Sequence, residues 1–124
     1  MEHEFIVGDV VMYDNKVMVI KEPRDRSHFD LSCPKEGLVY CFVSVKDIKP
    51  IPLTPEILEK NGWKEDRGDY VDDSHHLHLC GKYDGYSVYK VVNDYNVVWL
   101  TGVRNVSDLQ HLLFGLDINH EMEV

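Results

Sequence analysis

Apolar and polar positions alternate through the opening of the chain. Gly8-Asp9-Val10-Val11-Met12-Tyr13 and Lys16-Val17-Met18-Val19-Ile20-Lys21 are rich in β-branched residues and flank the turn pair Asp14-Asn15, a pattern that predicts a hairpin. Pro23, Pro34 and charges of both signs then break the alternation from Glu22 to Glu36, and this stretch reads as a long mobile loop. Gly37-Leu38-Val39-Tyr40-Cys41-Phe42-Val43 follows as a strand apolar enough to be central in its sheet. Ser44-Val45-Lys46-Asp47 fits one helical turn capped at Ser44. Ile48 to Leu53 runs extended with two prolines.

The segment Thr54-Pro55-Glu56-Ile57-Leu58-Glu59-Lys60-Asn61-Gly62 predicts a short helix with Thr54 as N-cap, Pro55 at the first helical position and Gly62 just past the end. Leu53 before the cap and Leu58 form a hydrophobic staple. Beyond it, turn residues at Arg67-Gly68-Asp69, Gly81 to Gly85 and Asn93 to Asn96 separate four predicted strands: Trp63 to Asp66, His75 to Cys80, Ser87 to Val92 and Val97 to Thr101. They read as an antiparallel meander. A final helix opens at Asn105 or Ser107; Leu109, Leu112, Leu113 and Leu116 fall on one stripe, expected to cover a face of that meander.

The expected fold class is α+β. Residues 1–53 have the element order of an SH3-like small β-barrel: hairpin, long loop, strand, helical turn, final strand. Residues 54–124 form an α+β half of helix, four-strand meander and C-terminal helix packed on it. With 124 residues, the two halves are expected to build one compact unit. Small barrels of this kind host many unrelated functions, so the architecture carries no partner with it.

Three stretches bear a more particular likeness: the leading hairpin from Val7 to Glu22, Ile51-Pro52-Leu53-Thr54-Pro55-Glu56-Ile57-Leu58-Glu59-Lys60-Asn61-Gly62-Trp63, and Val106 to Ile118 with its Leu109-Gln110 pair. Together they resemble a family of uncharacterised proteins from phages and mobile elements of gut bacteria. In that family an IPLT-x-E-x-L-x-x-x-G-[FW] segment precedes a β-meander, and a helix starting V-x-x-LQ closes the chain. Ser107-Asp108 stands here where the family often has Tyr or His before the Leu-Gln pair. The resemblance implies a phage or mobile-element origin, and no activity or functional residue comes with it.

Charge narrows the partners. The net charge is −9, with nine acids against seven bases in residues 1–53 and thirteen against six in residues 54–124. Such a surface repels phosphate backbones, which argues against direct nucleic-acid binding and suits a basic partner or plain solubility. Cys33, Cys41 and Cys80 are odd in number and lack CxxC spacing, as expected of reduced thiols in the cytoplasm. The N-terminus lacks a signal-peptide pattern, and no stretch approaches the roughly 20 apolar residues of a membrane helix.

One cluster has metal-ligand chemistry. Strand alternation would put His76, His78 and Cys80 on one face, with Asp72, Asp73 or His120 as a further ligand; the alternative is an exposed strand face with Leu77 and Leu79 turned to the core. The spacing matches no recognised zinc pattern, so no metal ligand is assigned. No catalytic or cofactor-binding residue is assigned either, because G-x-S-x-G, a second His-x-His pair and a phosphate loop are all missing. Tyr83, Tyr86, Tyr89, Tyr95 and Trp99 could stack on a base or a peptide, or pair across strands.

The expected function is therefore a non-enzymatic binding or accessory protein of phage or mobile-element origin that acts through contact with a host or phage protein, with homo-oligomers possible and no membrane. One alternative is sequestration of a nucleotide signal in counter-defence, with Arg67, Lys82, Lys90 and Arg104 meeting the phosphates. The other is an acidic DNA-mimic inhibitor.

Overall fold

The computed structural model describes residues 5–94 and 96–124. Among them the chain is α+β: ten strands in two antiparallel sheets, two helices and one helical turn. The segment ending at Ile51 and Val106–Met122 make one unit, and Pro52–Asn105 the other.

In the first unit, β1 (Val10–Tyr13), β2 (Lys16–Pro23), β3 (His28–Cys33), β4 (Leu38–Ser44) and β5 (Lys49–Pro50) lie in the order β4-β3-β2-β1-β5. Asp14 and Asn15 both take positive φ, 52° and 59°, between the paired Tyr13 and Lys16, the primed turn that matches strand twist. Ser44 accepts the Lys46 N–H at 3.3 Å and caps the turn Val45–Asp47. The core gathers Val11, Met18, Ile20, Phe29, Leu31, Val43 and Ile48. No strand pairing closes this sheet into a barrel among the described residues.

Two expectations are overturned here. The supposed loop from Glu22 to Glu36 contains β3, because Phe29, Leu31 and Cys33 alternate inward and the charge that masks them is neutralised. Buried Asp30 pairs with Arg24 Nη2 at 2.6 Å and accepts the Phe42 N–H at 2.9 Å; both hold its carboxyl below the ordinary range, the arginine most. With β3 inserted, β4 becomes the edge strand rather than a central one, and its Leu38, Val39 and Phe42 are exposed.

The final helix, α2 (Val106–Gly115), belongs to the first unit and contacts β1. Its leucine stripe suggested the meander as its partner, whereas the helix groups with the unit that holds β1. Its buried face is Val106, Ser107, Leu109, Gln110 and Leu113, while Leu112 and Leu116 are half-buried. The decisive residue is polar: Gln110 Oε1 accepts the Val10 N–H at 2.8 Å, and Nε2 donates to Gly8 O at 2.8 Å and His120 O at 2.9 Å. His111 Nε2–H adds a bond to fully buried Asp9 at 2.6 Å. Moving α2 also evens the charge. Ten described acids oppose seven bases in the first unit, and nine oppose six in Pro52–Asn105.

The second unit opens with α1 (Pro55–Lys60), where Thr54 Oγ1 accepts the Ile57 N–H at 3.3 Å. Gly62 donates to Glu59 O and Trp63 to Leu58 O, a Schellman end with Gly62 at φ 89°. The meander follows as β6 (Lys64–Asp66), β7 (Asp69–Asp72), β8 (Leu77–Lys82), β9 (Gly85–Asn93) and β10 (Asn96–Val103), side by side in chain order. It has five strands, not four, because β7 is a four-residue strand with an acid at each end, bordered by turn residues that hide it. Leu53, Leu58, Trp63, Tyr70, Leu77, Leu79, Val88 and Val103 are buried in this unit.

Candidate functional site

The register of the second sheet separates its two faces. Tyr70, Leu79 and Val88 align across β7, β8 and β9 and turn to the buried side. The next row, Val71-His78-Tyr89-Trp99, aligns across four strands on the opposite side. Cys80 and Ser87 form a pair beside it, and Val91 and Val97 another. This face therefore carries aromatic, aliphatic and metal-ligating side chains, and apart from Ser87 they are half-buried or exposed.

Apolar side chains stand exposed together in the distal part of the β9–β10 hairpin: Val92 is 60%, Val97 57%, Val98 50% and Trp99 57% exposed. Successive residues of a strand point to opposite faces, so Val97 and Val98 put apolar surface in water on both sides. β10 is also an edge strand of its sheet, so among the described residues one row of its backbone donors and acceptors has no neighbouring strand.

The anticipated histidine and cysteine cluster is only partly assembled. His78 and Cys80 share the face, but His76 sits at positive φ, 57°, in the turn before β8. His75 Nδ1–H donates to Asp72 Oδ2 at 2.7 Å, and the Ser74 N–H bonds the same carboxylate, so Asp72 ties that turn. Asp73 is exposed, and His120 lies in the first unit against Phe114. The third member is instead Asp69 on β7, whose Oδ2 accepts His78 Nε2–H at 3.1 Å. Burial, then the neighbouring Asp69 charge and its hydrogen bond, push the Cys80 thiol up, which makes it a poor free nucleophile. Asp69 was read as a turn residue; its role follows only from strand pairing.

Of the basic residues suggested for a nucleotide, Arg67 sits in the turn between β6 and β7 at positive φ, 55°. Arg104 pairs with Asp84 at 2.9 Å, and Lys90 donates to His75 O at 3.4 Å. Lys82 and Tyr86 line a cleft of about 420 Å³ together with Tyr70 and Glu65. Tyr86 meets Tyr70 edge-on at 6.4 Å, Tyr83 is fully exposed, and Tyr95 lies outside the described residues. No helix among the described residues is long and apolar enough to cross a membrane. No family model, curated protein or solved structure matches the chain.

Proposed function

We propose that this chain is a non-enzymatic binding or accessory protein that works by contact with another protein, through the β9–β10 hairpin. The carrying observation is the exposure of Val92, Val97, Val98 and Trp99 together at the sheet edge. Apolar surface left in water forgoes about 25 cal/mol per Å², and edge strands are usually blunted by lysine or proline. β10 contains neither. An extended segment of a partner can add to this edge as a further strand, with Trp99 as the kind of anchor that dominates interfaces.

The net charge of −9 favours a basic partner, and the resemblance described above supports a phage or mobile-element origin. The first unit reads as an SH3-like module, since β5 returns after the helical turn to pair with β1. Capture from a lysate of the host cell tests the function. The wild type should retain a specific protein that Trp99→Lys, with an unchanged circular-dichroism spectrum, releases. No specific protein on a folded wild type would sink the proposal.

A further inference from the structure

Asp69, His78 and Cys80 bring three ligand types close together. A carboxylate oxygen, an imidazole nitrogen and a sulfur all lie within 4.8 Å of one another. Tetrahedral coordination with bonds of about 2.0–2.3 Å puts ligand atoms about 3.3–3.8 Å apart, so the group has to draw in by about an ångström at most to close on an ion. The backbone is already in place: alternation along β8 presents His78 and Cys80 together, and β7 pairs beside them. All three side chains are half-buried, which leaves a path for an ion from solvent.

A second observation points to the same spot. Ser87 pairs directly with Cys80 across β8 and β9, so both side chains leave the same face of the sheet. Ser87 is fully buried, and its hydroxyl has no hydrogen-bond partner among the described residues. Buried hydroxyls are rarely left so. A thiolate or an ion-bound water beside it would supply the missing acceptor.

We propose that Asp69, His78 and Cys80 bind one divalent transition-metal cation, with a fourth position open to water. A mixed sulfur, nitrogen and oxygen donor set suits Zn²⁺ and its spectroscopic substitute Co²⁺ and is too soft for Mg²⁺ or Ca²⁺. Without metal, Asp69 accepts a hydrogen bond from His78 Nε2–H. The ion replaces it: the imidazole proton moves through solvent from Nε2 to Nδ1, and the thiol proton leaves to solvent.

Titration of the full chain with Co²⁺ tests the site. The expected result is one equivalent bound, with the visible absorption of tetrahedral cobalt and a thiolate-to-cobalt charge-transfer band, both removed by Zn²⁺. Cys80→Ser should abolish the charge-transfer band, whereas Cys41→Ser, at an exposed cysteine, should leave it unchanged. His78→Gln and Asp69→Asn should each weaken binding by more than about tenfold, a loss that even partners outside the coordination sphere can produce. Ser87→Ala should raise the melting temperature of the metal-free protein and lower cobalt affinity, a pairing that a purely structural serine would not give. Absence of saturable one-to-one binding, or a wild-type cobalt spectrum in Cys80→Ser, overturns the proposal.

Discussion

Gln110 holds α2 to the start of β1, and Gln110→Leu isolates that contribution because it keeps the side-chain bulk and deletes three hydrogen bonds. The Val10 N–H, buried and bonded at 2.8 Å, loses its acceptor; leaving such a donor unpaired costs about 1–3 kcal/mol. The carbonyls of Gly8 and His120 lose donors at 2.8 and 2.9 Å in part-buried positions, adding about 0.5–1 kcal/mol each. The expected total is about 3 kcal/mol, a large share of a stability of about 5–15 kcal/mol. With about 2.1 cal/mol/K of unfolding entropy per residue, that lowers the melting temperature by about 10 °C. Urea denaturation followed by circular dichroism measures the loss, and amide exchange at Val10 locates it. A loss under about 1 kcal/mol, or unchanged protection of the Val10 amide, would refute the reasoning.

Further substitutions probe the local rules. A Cβ at Gly85 would stand 2.3 Å from Val103 O at φ 133°, whereas one at Gly62 meets nothing within 4 Å at φ 89°. Gly62→Ala should therefore cost about 1–2 kcal/mol, the left-handed penalty alone, and Gly85→Ala clearly more in the same thermal melts. Thr54→Ala should cost about 1 kcal/mol through loss of the bond to the Ile57 N–H; an unchanged melt would remove the cap from the account. Arg24 and the Phe42 N–H depress the folded-state pKa of Asp30, so its contribution is fully present above the ordinary carboxylate range and is lost as pH falls through the depressed value. Stability measured against pH in Asp30→Asn should lack that component of the acid-side loss.

What the sequence made legible are features decided within a few residues. The Asp14-Asn15 turn, the Ser44 turn and α1 with its Thr54 cap and Gly62 stop each rest on chemistry carried by neighbours in the chain. The elements that escaped depend on distant partners. β3 hides behind Asp30, a charge that looks solvated until Arg24 and the Phe42 N–H are folded onto it. α2 showed a leucine stripe, yet Gln110 decides its location by bonds to residues about a hundred positions away. In the same way, His78 and Cys80 were visible as an alternating pair, but Asp69 and Ser87 join them only through strand register. The aromatics near the turns were visible as well, but the exposure of Val97 and Val98 in β10 appears only in the fold.

The claim that the β9–β10 hairpin is the contact surface is tested most directly by photocrosslinking in the native cell. A photoreactive amino acid placed at exposed Val98 should trap one specific protein in a discrete adduct. The same group at Lys35, also exposed but in the first unit, should not trap it. A discrete adduct from Val98 alone is the predicted result; no adduct from Val98, or the same adduct from both positions, would contradict it.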